Sequence, residues 1–303
     1  MADYLAAILM FGGIYALLAL GLNLQWGHTG LLNLGLVAFF AVGAYTSALL
    51  TLHGMPLVFG PIAGLALAGL AAYPIGRLSL RLQGDYLAIV SLGFAQVVQV
   101  FIINSIWTGG NNGLTGVTML FRPLEVSVRP YVQLALVLAL VLLTLFISHR
   151  LTESPYGRLL RAIRNSIEAV GSLGKNPDDY RLIALVLGSA LAGLAGGVYA
   201  HYIGYISPDQ FDSTLSFLIF TGIVIGGSSH WGAALGTLLF VSLMEATRFL
   251  RDLEVLPVTD SQFAQIRLIM VGVVLILVMQ RRPQGLWPYR HRSRSARRDH
   301  AKS

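Results

Sequence analysis

There is no cysteine among the 303 residues. That excludes a disulfide framework, a thiol nucleophile and a thiolate metal site. Charge is scarce as well: 12% of residues are charged, against about 25% in a typical soluble domain. Most of the chain therefore has no water-facing surface to cover. Neither His-Glu-x-x-His nor Gly-x-Ser-x-Gly occurs, so the commonest zinc-protease and nucleophile-elbow signatures are missing. The histidines (His28, His53, His149, His201, His230, His291, His300) show no metal-ligand spacing. Asp3 stands where a secretory signal would carry basic residues, and a cleaved signal is not expected.

What is present is apolar: 55% of residues are hydrophobic and 33 are glycine. Long apolar runs recur from end to end, which predicts an all-α polytopic bundle occupying residues 1–283. Candidate spans are 4–24, 30–52, 57–76, 84–104, 131–149, 182–204, 213–228, 231–250 and 264–280, nine in number with eight to ten allowed. The clearest, Leu134 to Ile147, gains on the order of −5 kcal/mol on the insertion scale with no charge to offset it. Two segments read poorly as single helices. The second opens on the polar stretch Gln25–Asn33, and the seventh ends in Gly226-Gly227-Ser228-Ser229. Broken helices are tolerated only where protein or a water-filled cavity satisfies the freed backbone.

With nine spans, sixteen of the 21 basic residues fall on one side: Arg77, Arg81, those of the loop 150–181 and those from Arg281 to Lys302. The positive-inside rule makes that side cytoplasmic, with the N-terminus outside and the C-terminus inside. The tail 284–303 is expected to be disordered and to act as a topological anchor against membrane lipid, not as a nucleic-acid site.

Gly60/Gly64, Gly193/Gly197, Gly222/Gly226 and Gly232/Gly236 are each four apart, so each pair lies on one helix face and admits a close neighbour. Thr108–Gly116 is rich in glycine but lacks the Gly-Lys-Ser/Thr ending of a phosphate loop. It reads as a flexible outer loop, with a role in receiving substrate as the alternative. Asn33, Gln96, Gln99 and Asn104 are candidates for a polar path, or else helix-to-helix glue. Glu245 with Arg248 is the best candidate for an ion-coupling group, but it reads as an interfacial pair near a span end.

The long basic loop is the informative segment. From Gly157 to Leu173 the apolar residues Leu159, Leu160, Ile163, Ile167, Val170 and Leu173 follow a 3.6-residue period. One amphipathic helix is expected there, ended by Gly174 and kept from resuming by Pro177. Such a helix docks into a partner or rests on lipid headgroups.

Glu168-Ala169-Val170-Gly171-Ser172-Leu173-Gly174 resembles the EAA loop of ABC importer permeases, with Val170 where the pattern has alanine. The stretches Gly27–Asn33, Gly84–Val90, Thr108–Gly116, Gly157–Arg164 and Phe220–Gly227 resemble the LivM-like branch of the branched-chain amino acid permeases. This resemblance implies an inner-membrane permease subunit forming half of a translocation path for amino acids. It implies a second, LivH-like permease chain, two ATP-binding subunits holding ATP and Mg²⁺, and a periplasmic substrate-binding protein. It also implies that Arg161, Arg164, Glu168, Ala169 and Gly174 couple to the ATPase, and that this chain carries no cofactor and catalyses nothing. The rivals are an ion-coupled secondary carrier and a passive channel for a small polar solute such as urea. Neither accounts for the amphipathic inner helix.

Overall fold

The computed structural model describes residues 2–79, 86–121, 125, 127–252, 260–281 and 285–287. Arg81, Gly84, Asp85, Arg122, Glu254 and the basic tail from residue 288 lie outside the described residues.

The chain is an all-α bundle. Its helices are α1 (Ala2–Leu22), α2 (Leu36–Leu52), α3 (Phe59–Ser79), α4 (Tyr86–Asn104), α5 (Arg129–Glu153), α6 (Pro155–Asn165), α7 (Ile167–Ser172), α8 (Pro177–Ile203), α9 (Ser213–Gly226), α10 (His230–Asp252) and α11 (Asp260–Arg281). A single β-ladder among the described residues pairs β1 (Leu114–Thr115) with β2 (Tyr205–Ile206), antiparallel, Leu114 opposite Ile206. Every apolar segment expected to span meets a helix. Five stretches, Tyr4–Gly27, α3, α4, α5 and α8, are long and apolar enough to cross a membrane.

α8 is the central post. Asn176 caps it by accepting the Asp178 N–H at 3.3 Å, Pro177 opens it, and Asp178 and Asp179 place negative charge at its positive end. It runs 27 residues to Gly204 at φ +75, about 40 Å at 1.5 Å per residue. The predicted glycine pairs meet one another. A β-carbon on Gly197 of α8 would lie 2.6 Å from Cα of Pro61 on α3, and one on Gly64 would lie 3.2 Å from the Gly193 carbonyl. On the second seam, a β-carbon on Gly222 of α9 would lie 2.7 Å from Cα of Thr237 on α10. Fully buried Ile14, Leu17, Leu18, Phe39 and Phe40 fill the core around α1, α2 and α8. α3, α4 and α5 present the opposite pattern, with Ile62, Leu70, Ile89, Phe101, Leu142 and Phe146 turned outward. A surface this apolar faces lipid or another apolar chain, not water.

Both suspected breaks are present. α1 continues through one π-helical turn, Asn23–Gly27, into His28 and Thr29, and residues 30–35 are irregular before α2 begins. Side chains satisfy the freed backbone there: Leu34 N–H donates to Ser91 Oγ at 3.0 Å, Gly35 N–H to Asn33 Oδ1 at 3.0 Å, and Val37 N–H to Ser216 Oγ at 3.2 Å. The second break follows α9, whose 14 residues span about 21 Å, short of the ~30 Å hydrocarbon core. Its end carbonyls are met by a strap returning after α11: Leu286 N–H donates to the Ile225 carbonyl and Trp287 N–H to that of Gly226, each at 2.8 Å. Gly285–Trp287, assigned to the tail on sequence, therefore belong to the bundle.

Thr108–Gly116 is an ordered cap and not a flexible loop. Gly109, Gly110, Gly113 and Gly116 all take positive φ, and β1 continues into bonds that fix the segment to the far end of α8. Val117 N–H donates to the Gly204 carbonyl at 3.2 Å and Leu120 N–H to that of His201 at 3.0 Å. His201, fully buried, ties the same corner together, with Nδ1 2.8 Å from the Thr118 carbonyl and Nε2 2.7 Å from Ser47 Oγ.

Candidate functional site

The loop after α5 holds two helices where the periodicity predicts one. Ser154 caps α6 by accepting the Gly157 N–H at 3.4 Å, with Pro155 at the first turn. At Ser166 the backbone is extended, φ −158 and ψ 109, and the Ser166 hydroxyl accepts the Ala169 N–H at 3.2 Å to start α7. Serine competes for backbone hydrogen bonds in this way, so an apolar stripe continues in register while the helix beneath it breaks. Glu168 stands in the first turn of α7, where the helix dipole favours a carboxylate. Gly174 closes the segment at φ +76, with nothing within 4 Å of the position its β-carbon would take.

The two helices use their apolar residues differently. Leu160 and Ile163 of α6 are buried, Leu160 in a small core with Leu24 and Ala184. Tyr156 beside it donates to the Tyr180 carbonyl at 3.0 Å, and burial raises its phenol pKa above the usual value. Of α7 and the turn after it only Val170 is buried, at 2% exposure, whereas Ile167 is 44% and Leu173 78% exposed. Glu168, Ala169, Gly171 and Gly174 are exposed as well. A two-turn helix with its apolar residues in the open gains little stability from its own chain.

Of the five predicted coupling residues, Glu168, Ala169 and Gly174 share this open segment. Arg161 and Arg164 turn to the bundle. Arg161 Nη1 donates to the Thr152 carbonyl at 2.9 Å. Arg164 Nη1 donates to the Gly27 carbonyl, and its guanidinium lies 6.0 Å from the Trp26 ring centroid. Beside them is a group that spacing could not reveal. The His28 and His230 rings lie 4.8 Å apart, and those of His149 and His230 lie 6.4 Å apart. His230 Nε2 is 2.7 Å from the Thr152 hydroxyl. The one sequence signal is that His28 lies within one predicted helix break, Gln25–Asn33, and His230 directly follows the other. Among the described residues no cluster of three His, Asp or Glu is arranged to hold a metal.

The four path candidates have separate surroundings. Asn33 is buried beside a small cavity lined by Ser79, Ser91, Phe39, Ile75 and Phe94, and its Nδ2 has no hydrogen-bond partner among the described residues. Gln96 and Gln99 join α4 to the α8–α9 connection, donating to Ser213 Oγ at 3.1 Å and the Pro208 carbonyl at 3.4 Å. Asn104 donates to the Val100 carbonyl of its own helix at 2.8 Å. Glu245 lies half-buried on α10, and its backbone carbonyl accepts from the Tyr4 hydroxyl at 3.1 Å. The side chain of Arg248 lies outside the described residues.

Comparison with known proteins agrees with this architecture. Residues 4–279 match the family described as the branched-chain amino acid transport system permease component. The chain is 35% identical to the high-affinity branched-chain amino acid transport system permease protein LivM of Escherichia coli K12, over 91% of this chain and 68% of that one. It is 26% identical to a probable LivM of Methanocaldococcus jannaschii, over 94% of each chain. It is also 26% identical to the LivH permease protein of Salmonella typhimurium, over 75% of this chain and 80% of the other. No solved structure matches. The chain is a LivM-like, multi-pass inner-membrane permease and belongs to the branched-chain amino acid transport permease family.

Proposed function

We propose that this chain is one permease half of an ABC importer that moves amino acids, branched-chain ones foremost, into the cell. α7 seats in an ATP-binding subunit, and ATP and Mg²⁺ are held there, so this chain hydrolyses nothing. A second, LivH-like permease chain packs on an outward apolar face and completes the path. A periplasmic binding protein delivers substrate at the end carrying β1 and β2. Nine segments cross the membrane, built on α1–α5 and α8–α11 with the irregular stretches before α2 and after α9 completing the two short ones, with the N-terminus outside and the basic C-terminus inside.

The observation that carries this reading is the open state of α7: Glu168, Ala169 and Leu173 to Gly174 are exposed while Val170 alone is anchored. An ion-coupled carrier or a channel has no use for such a segment. ATP-driven closure of the two ATPases would push on it and switch the path between its inward- and outward-facing states. The test is reconstitution with the partner subunits. Uptake should require ATP inside and binding protein outside, and the chain alone in vesicles should move nothing. Uptake by the chain alone, driven by an ion gradient, would reverse the reading.

A further inference from the structure

Arg161 and Arg164 do not point where docking residues would. Arg161 reaches the Thr152 carbonyl at 2.9 Å, and the Thr152 hydroxyl is 2.7 Å from Nε2 of His230, the first residue of α10 after the α9 break. Arg164 reaches the carbonyl of Gly27, the last residue of the π-helical turn, and lies over Trp26 within that turn. Each arginine therefore leads to one of the two places where a spanning segment is interrupted. The breaks also touch each other: Trp26 meets Phe220 of α9 edge-on at 5.0 Å, and His28 lies against His230 at 4.8 Å.

Resting on the reading of α7 as the ATPase seat, we infer that Arg161 and Arg164 are positioning residues that carry the movement of α7 into the α1–α2 break and the α9–α10 elbow. α6 is fixed to the bundle by Leu160 and Ile163, while the extended backbone at Ser166 lets α7 swing against it. Arg164 stands two residues before that hinge. Interrupted helices have fewer backbone bonds to exchange than intact ones, which makes them the natural moving parts of a path. The guanidinium plane suits this task, because it donates to a carbonyl while lying over a ring, which a lysine does not reproduce.

The absence of native cysteine permits a direct test. A single reporter, Ser228→Cys at the elbow, is labelled with a maleimide in the complete complex, at rest and after trapping with ATP and vanadate. The labelling rate should differ by about fivefold or more between the two states. In the reporter carrying Arg161→Ala and Arg164→Ala the difference should fall below about twofold, while the ATPase subunits still co-purify at the wild-type ratio. Should the alanine pair fail to reach the membrane, Arg161→Lys with Arg164→Lys takes its place and should lose part of the difference. An undiminished difference overturns the inference, as does a reporter that never responds to trapping. Loss of the ATPase subunits from the arginine variants would make these residues docking contacts and also overturn it. The underlying reading fails separately, if Gly174→Arg leaves ATPase association intact.

Discussion

Gly64 and Gly193 approach so closely across the α3–α8 contact that a β-carbon on Gly193 would overlap the Gly64 carbonyl. With lipid tails as apolar as leucine, such seams hold by close packing. Gly193→Leu should therefore destabilise the bundle by at least the ~1–3 kcal/mol typical of overpacking, or prevent accumulation altogether. Gly93→Ala, where a β-carbon meets nothing within 4 Å, should be neutral or stabilise by up to about 1 kcal/mol. Thermal unfolding in detergent separates the two, and equal behaviour would contradict the seam.

The strap after α11 yields a second comparison. Truncation after Trp287 keeps the bonds to Ile225 and Gly226, whereas truncation after Arg281 removes them. Each orphaned buried carbonyl costs about 1–3 kcal/mol. The shorter protein should thus melt several degrees lower and the longer one at the wild-type temperature. Equal melting would mean that the strap does not cap α9.

Membrane orientation is open to labelling, because introduced cysteines meet no native background. Cysteine at Asn112 should react with an impermeant maleimide from outside. At Lys175, or at Ser293 outside the described residues, it should react only after the membrane is opened. Outside labelling at Lys175 would invert the topology and remove the coupling assignment with it.

Glu245→Gln should leave transport within a few-fold of wild type, with an unchanged pH response. A proton-coupled carrier would lose accumulation with its charge. Lost transport in an intact complex would favour that rival.

Hydropathy made the helices legible, because spanning segments are set by composition along the chain. The glycine seams were legible too, since four-residue spacing fixes a face, although not which face it meets. The break at Ser166 was hidden because the apolar stripe runs through it in register. The inward turn of Arg161 and Arg164 was hidden because their acceptors are backbone carbonyls, which leave no trace in side-chain pattern. The same holds for the strap on α9, which meets Ile225 and Gly226 through its own backbone N–H groups. The His28–His230 contact joins residues brought together only by the α1 and α9 breaks. Tertiary contact made each of these features, and no local period encodes it.

The most direct measurement concerns Gly174. Its φ of +76 places it in the left-handed region, with open space around it for a partner to occupy. Gly174→Arg adds about 1–2 kcal/mol of backbone strain and puts bulk and charge into the proposed contact. The site lies outside the hydrocarbon, so insertion should survive. The account predicts normal membrane levels of the variant, weakened retention of the ATPase subunits on purification, and loss of binding-protein-stimulated ATP hydrolysis. Glu168→Ala should be milder, since it removes one contact and adds no bulk. Full transport with full ATPase association in Gly174→Arg would contradict the account at its centre, because α7 would then not be the coupling element.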